Sequence, residues 1–316
     1  MELLKRNPTA LLIKILLLAA IFGIIQFLIS SGIMSTYYQM TLTTLCLNII
    51  LAVSLNLING FTGQLSLGHA GFMAIGAYVS VVVTDKMDSP FIVGIFMACL
   101  AAALAGLLIG MPTLRLRGDY LAIATLGFGE IIKIILFNIS YVGGAAGITG
   151  IPKLTNWAWL FAGIVITVLV INNLVNSSYG RAIISIREDE VASELMGINI
   201  ANYKILAFVI GAMFAGLAGA LYAHYFFVIK PNTFGFMKSF DVLVMVVLGG
   251  LGSTSGAIIA AIFVTVLSTV LQSFPELRMV FYAIVLIVVM IFRPQGLMGN
   301  KELSLKILHR KQEDKK

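Results

Sequence analysis

The chain has 316 residues, of which 59% are hydrophobic and 11% charged, and its mean hydropathy is +1.01. Soluble domains carry about 25% charged residues, so this composition excludes a soluble globular protein and points to a polytopic membrane protein. The formal net charge of +7 does not mark a nucleic-acid binder, because the basic residues flank apolar runs and gather in the C-terminal tail instead of forming one face.

Residues 1–8 carry Lys5 and Arg6 ahead of an apolar run that reaches Ser30. The run is long and no small-residue cleavage site follows, so it reads as an uncleaved first span with a cytoplasmic N-terminus. Further spans are predicted at 36–58, 64–84, 91–111, 119–140, 156–175, 203–227, 237–250, 253–273 and 276–293. The fold class is therefore an all-α membrane bundle of about ten helices. The seven prolines fall at or near these boundaries, where proline is tolerated. Trp157 and Trp159 open one span, as interfacial anchors do. The stretch 237–250 is short for a crossing, which takes about 20 residues; it is tilted, re-entrant or broken at Gly249-Gly250. Ten crossings place most of the 21 Lys and Arg on the side of both termini, as the positive-inside rule requires. Residues 1–300 form the transmembrane domain and 301–316 a basic cytoplasmic tail suited to anionic lipid. Cys46 and Cys99 lie in apolar runs and read as core residues. His69, His224 and His309 lack metal-ligand spacing.

The stretch 56–78 reads NLINGFTGQLSLGHAGFMAIGAY. It is apolar enough for a bilayer, yet it holds Asn56, Asn59, Gln64, Ser66 and His69 among five glycines. Polar, Gly-interrupted segments at membrane depth mark substrate routes, because buried polar groups cost energy unless paired or wetted. Close helix packing with locally satisfied amides explains the same residues as well, and for His69 a packing role is the simpler one. LGGLGSTSGAIIAAIF near 248–263 is a second Gly-rich hinge leading into an apolar helix, which suggests an internal repeat.

This segment resembles the signature of the permease subunits of branched-chain amino acid ABC importers. LRLRGDYLAIATLGFGEIIK, GGAAGITGIP, YGRAIISIREDEVASELMGIN, VLGGLGSTSGA and IFRPQGLMG follow in the family's order. The likeness covers about residues 50–299 and is nearest the LivM-type member of the permease pair. It implies a second homologous permease, cytoplasmic ATPase subunits that use the ATP, and an extracytoplasmic solute-binding protein. It also implies leucine, isoleucine, valine or a related neutral amino acid as cargo and a bacterial or archaeal plasma membrane as the location. No cofactor is expected on this chain, which has no G-x-x-x-x-G-K-[ST] phosphate loop and reads as a transport subunit, not an enzyme.

The largest hydrophilic segment is 176–203, NSSYGRAIISIREDEVASELMGINIANY. Ile183 to Met196 has helical spacing, Gly197 is placed to stop the helix, and Arg187 is placed to pair with Asp189 or Glu190. On its own this is a solvated connecting helix. The resemblance implies an ATPase-coupling loop carrying Gly180, Arg181, Arg187, Glu188, Asp189, Glu190, Glu194 and Gly197, equivalent to the Glu-Ala-Ala loop of other ABC permeases. Glu130 lies in the apolar LGFGEIIKII with Lys133 three residues on, so the two share a helix face. A structural pair ranks first and a place in the translocation path second. Arg115, Arg117 and Asp119 read as positive-inside anchors or ATPase contacts. Asp241, after Lys238, suits the N-terminus of the short span. Two other functions stay open: an ABC permease for urea or short amides, and an ion-coupled secondary transporter in which Glu130 titrates.

Overall fold

The computed structural model describes residues 8–114, 116, 118–293 and 296–299. Residues 1–7 with their Lys5 and Arg6, the pair Arg115 and Arg117, and the basic tail 301–316 lie outside the described residues. The helices are α1 (Pro8–Ser30), α2 (Thr36–Asn56), α3 (His69–Val81), α4 (Phe91–Thr113), α5 (Asp119–Asn138), α6 (Trp157–Val175), α7 (Ser178–Glu188), α8 (Glu190–Leu195), α9 (Ile200–Phe226), α10 (Phe236–Gly249), α11 (Thr254–Val270) and α12 (Pro275–Phe292).

The protein is a polytopic helical membrane protein. Each predicted apolar stretch is occupied by a helix, but among the described residues six helices have the length and apolarity to cross a bilayer: those within 36–61, 91–113, 119–138, 157–175, 200–226 and 231–249. The sixth is α10 extended by the 3₁₀ turn Pro231–Phe234. Two corrections to the predicted spans follow. The span expected over 64–84 begins at His69, and α3 has 13 residues before it widens into the π turn Val82–Lys86. The all-α expectation also misses a two-residue antiparallel ribbon, β1 (Ile148–Thr149) with β2 (Val228–Ile229), that ties the loop before α6 to the end of α9.

Helix α4 shows why the bundle suits lipid. It buries Gly94, Ala98, Ala102 and Gly106 and exposes Ile92, Phe96, Leu100, Leu104 and Leu108. Small residues inside and large apolar residues outside invert the soluble pattern. In hydrocarbon, helices gain by close backbone approach while large side chains meet lipid at no penalty. α4 and α3 pack on α9, and α9 packs on α2, whose C-terminal half is buried. Around α2 stand α6, α10 and α11. Trp157 departs from the interfacial role expected of it. It is buried, stacks with Phe22, and its indole N–H donates to Phe22 O at 3.3 Å, fastening α1 to α6.

Candidate functional site at the broken end of helix α2

Helix α2 does not stop cleanly. Leu57–Phe61 widens into a π turn, where Thr62 and Gln64 donate backbone N–H to Leu57 and Ile58. Gly63 then takes φ +69°, and the chain runs irregularly to His69. Irregular backbone at membrane depth survives only where protein or water satisfies it. Here side chains supply much of what the helix ladder gives up. The Asn59 amide clamps Ser66, accepting from its N–H at 3.1 Å and donating to its carbonyl at 3.4 Å. Thr125 of α5 accepts from Leu67 N at 3.0 Å, and Ser239 of α10 accepts from Ala70 N at 3.1 Å. This local satisfaction is why the predicted helix starts five residues late.

The structure therefore brings Asn56, Asn59, Gln64, Ser66 and His69 into one buried segment. His69 Nε2 lies 2.8 Å from Ser54 Oγ. Asn56 Oδ1 accepts from Gly252 N at 3.0 Å, so the two Gly-rich hinges seen in the sequence meet each other. Five buried polar atoms of this segment have no protein partner among the described residues: Asn56 Nδ2, both polar atoms of the Gln64 amide, Ser66 Oγ and His69 Nδ1. Each such atom costs about 1–3 kcal/mol relative to a paired one. The expense is concentrated in the segment where the helix breaks.

Arg187 reaches this segment from the hydrophilic stretch. Its guanidinium donates from Nη1 to Gly60 O at 3.1 Å and pairs with Glu188. The side chain lies between Gly63 and Gly252, where a Cβ would come within 2.9 Å of Arg187 Cγ and 2.6 Å of Arg187 Nη1 respectively. A cleft of about 440 Å³ opens beside it, lined by Asn59, Gly60, Gly63, Arg187 and Glu188. The expected local partners of Arg187, Asp189 and Glu190, do not pair with it. Asp189 instead caps α8, accepting from Val191 N at 2.9 Å and Ala192 N at 3.0 Å, and Glu190 pairs with the buried Lys204 of α9. The single helix expected over 183–196 is accordingly two, because a capping aspartate in extended conformation at 189 ends α7 and starts α8. Gly180 is buried at the start of α7 with Arg181 exposed next to it, and Glu194 closes α8. Gly197 ends α8 at φ +82°, as its position predicts. Replacing Asp189 with Ala should cost about 1 kcal/mol, read as a lower thermal midpoint in detergent; no shift would mean that the cap is dispensable.

Glu130 borders the Asn56–His69 segment at Leu67, and its bonds among the described residues go to α5 and α10. It pairs with Lys133 across one turn of α5, as expected, and its Oε1 also accepts from Phe236 N at 3.0 Å. It therefore fills the position assigned to Asp241. α10 starts at Phe236, so Asp241 lies in the second turn, and a carboxylate from α5 meets the positive end of the helix dipole. Glu130→Gln keeps that acceptor and should cost less than about 1 kcal/mol, whereas Glu130→Ala removes cap and ion pair together and should cost about 2 kcal/mol or more. A thermal-shift comparison of the two variants checks this; equal losses would show that charge alone matters.

Sequence reading missed the apolar surface of the hydrophilic segment. Val191, Leu195 and Met196 are 64%, 84% and 82% exposed on α8 and the residue after it. The signal was present as an i, i+4 apolar pair inside a charged run, but periodicity alone reads such a pair as inward-facing.

Comparison with known proteins agrees with this architecture. The family described as "Branched-chain amino acid transport system / permease component" matches residues 37–290. The high-affinity branched-chain amino acid transport system permease protein LivM of Escherichia coli is 38% identical over 294 residues, covering 82% of this chain and 69% of that protein. The probable branched-chain amino acid transport permease protein LivM of Methanocaldococcus jannaschii is 24% identical over 80% of this chain and 91% of its own length. LivH of Salmonella typhimurium, another permease protein of a high-affinity branched-chain amino acid transport system, is 27% identical over 81% of this chain and 92% of its own. With helices, broken α2 and ordered motifs all in place, the chain belongs to the permease family of branched-chain amino acid ABC transporters and is of the LivM type.

Proposed function

We propose that this chain imports leucine, isoleucine, valine or a related neutral amino acid as one of two homologous permeases. ATP is bound and hydrolysed by cytoplasmic ATPase subunits that dock on α7–α8, and an extracytoplasmic binding protein delivers the cargo. The membrane is a bacterial or archaeal plasma membrane, with both termini in the cytoplasm. Similarity to both LivM and LivH supports a pair of related permeases.

The observation that carries the coupling reading is the surface of α8. Val191, Leu195 and Met196 stand exposed in a segment whose remaining residues are largely polar. Such a patch beside hydrophilic loops suits a protein partner better than water. Arg181, Glu188 and Glu194 are exposed charges on the same segment, and charge of this kind favours orientation over affinity. Movement there has a mechanical route inward: α7 carries Arg187, Arg187 holds Gly60, and Asn56 holds Gly252 at the α10–α11 turn. The unpartnered atoms of Asn56, Gln64, Ser66 and His69 then belong to a route that opens when this linkage shifts, and Glu130 steadies the far end of α10 along the same path.

Co-purification of the tagged chain with its ATPase and second permease tests this. Leu195→Asp combined with Met196→Asp should release the ATPase and leave the second permease bound. Retention of the ATPase by the double variant overturns the docking surface. Leucine uptake that survives Glu130→Gln separates this mechanism from an ion-coupled carrier.

A further inference from the structure

We propose that a cavity between the C-terminal end of α1 and the N-terminal ends of α2 and α6 holds the phosphodiester headgroup of an anionic phospholipid. The cavity has a volume of about 300 Å³, at the low end of the range of about 300–1,000 Å³ for small-molecule sites. That space takes a headgroup and leaves acyl chains outside. Gln26 and Ile29 line it from α1, Gln39 and Leu42 from α2, and Lys153 and Thr155 from the loop before α6.

The electrostatics favour an anion. Lys153 is the one charged residue in the lining. It is exposed, and among the described residues no carboxylate pairs with it. Its Nζ stands over the Tyr225 ring, 4.8 Å from the centroid, a contact that holds the ammonium in place while leaving its donors open. Trp157 and Ala158 open α6 and also line the cavity, so the positive end of a 19-residue helix meets the same space. The Asn156 side chain caps Trp159 N at 3.3 Å, and the N–H groups of Trp157 and Ala158 have no acceptor within the helix.

Thr155 points to a ligand independently. It is 1% exposed, and its Oγ1 has no partner among the described residues. A buried hydroxyl left unpaired costs stability, and the cavity that Thr155 lines is where a partner fits. One phosphate group would accept from Thr155, from Lys153 and from the start of α6 together.

Position marks the anion as a lipid's. Tyr37 and Tyr38 stand exposed in the first turn of α2, as aromatics do at the membrane–water boundary. Gln26 is an exposed polar residue in the otherwise apolar last turns of α1. Further toward the membrane centre α1 exposes Ile21 and Ile24, which offer a surface to acyl chains. A free anion would use Lys153 and Thr155 and none of that apolar surface. A lipid bound here would tie α1, which packs chiefly on α6, to α2 and to the loop at 153–155. The outer leaflet follows from the orientation proposed above; the site itself does not depend on it.

Native mass spectrometry of the full chain in mild detergent, titrated with phosphatidylglycerol, tests the site. The most tightly held phosphatidylglycerol should bind more strongly than phosphatidylcholine, whose choline opposes Lys153. Lys153→Gln should weaken that binding about tenfold, the effect of one charge-assisted hydrogen bond. Thr155→Val, which keeps the shape and removes the hydroxyl, should weaken it as well, and Lys153→Arg should retain it. Lys230→Gln, at another exposed lysine, should leave it unchanged. The basic tail 301–316 is the same in every variant, so the differences report on the cavity. Matched thermal midpoints show that the variants are folded. Unchanged affinity in Lys153→Gln or Thr155→Val overturns the site, and an equal loss in Lys230→Gln reduces it to net charge. Displacement by an equal concentration of glycerophosphoglycerol, the headgroup without chains, assigns the cavity to a soluble phosphodiester and overturns the lipid. The titration involves no transport, so its failure leaves the import reading standing.

Discussion

Arg187→Glu should reduce ATP-driven leucine uptake by about two orders of magnitude while the chain still inserts and assembles. The guanidinium is the direct link between α7 and the π turn of α2, through the bond to Gly60 O at 3.1 Å. A hydrogen bond from a charged donor contributes about 1.5–3 kcal/mol, and each 1.4 kcal/mol is a factor of ten. A glutamate offers no donor to the carbonyl and sets a second negative charge beside Glu188. It also faces Gly252, against which Arg187 Nη1 is packed. Arg187→Lys retains the charge but not the planar fork, so it should fall between the two. Uptake and ATP hydrolysis measured together in proteoliposomes check the prediction. Hydrolysis that continues without uptake would locate the break between the two machines. Uptake at the unsubstituted level would mean that α7 does not act through Gly60.

Gly76→Leu should prevent a folded protein from accumulating. Helices α3 and α9 meet at Gly76 and Gly216, and a Cβ on Gly76 would strike the Gly216 backbone, which has no flexible end to move aside. Overpacking of this kind costs about 3 kcal/mol or more, a large share of the roughly 5–15 kcal/mol by which native proteins are stable. The contact lies in the tightest part of the bundle, among α3, α4 and α9, so the helices would have to separate to admit the side chain. Gly127→Ala in α5 is the control. A Cβ there meets nothing within 4 Å, and alanine improves helix propensity by about 1 kcal/mol. Monodisperse yield and thermal midpoint in mild detergent distinguish the two. A normal yield for Gly76→Leu would mean that α3 and α9 are not held at this distance.

What could be read from the sequence alone was what depends on composition, order and near neighbours. Hydropathy assigned the membrane, and apolar stretches ended by proline, glycine and charge located the helices. The ordered motifs assigned the family. The Glu130–Lys133 pair and the stop at Gly197 were legible too, because both involve residues within one turn of each other. Even at that range Asp189 was misjudged. Its choice between pairing with Arg187 and capping α8 depends on where Arg187 goes, and Arg187 goes to Gly60, 127 residues away in the chain.

The tertiary structure decided everything that needed a distant partner. Asn56 meets Gly252 across 196 residues, Lys238 meets Asn48 across 190, and Glu130 meets Phe236 across 106. The physical reason is the solvent. In water an unpaired side chain finds a partner anywhere on the surface, and its choice matters little. In a bilayer the same side chain must find its partner on whichever helix lies beside it. Which helix that is follows from the fit of small residues such as Gly76, Gly216 and Gly219 against neighbouring backbone. That fit is a property of shape in three dimensions, and the one-dimensional pattern of apolar residues does not contain it.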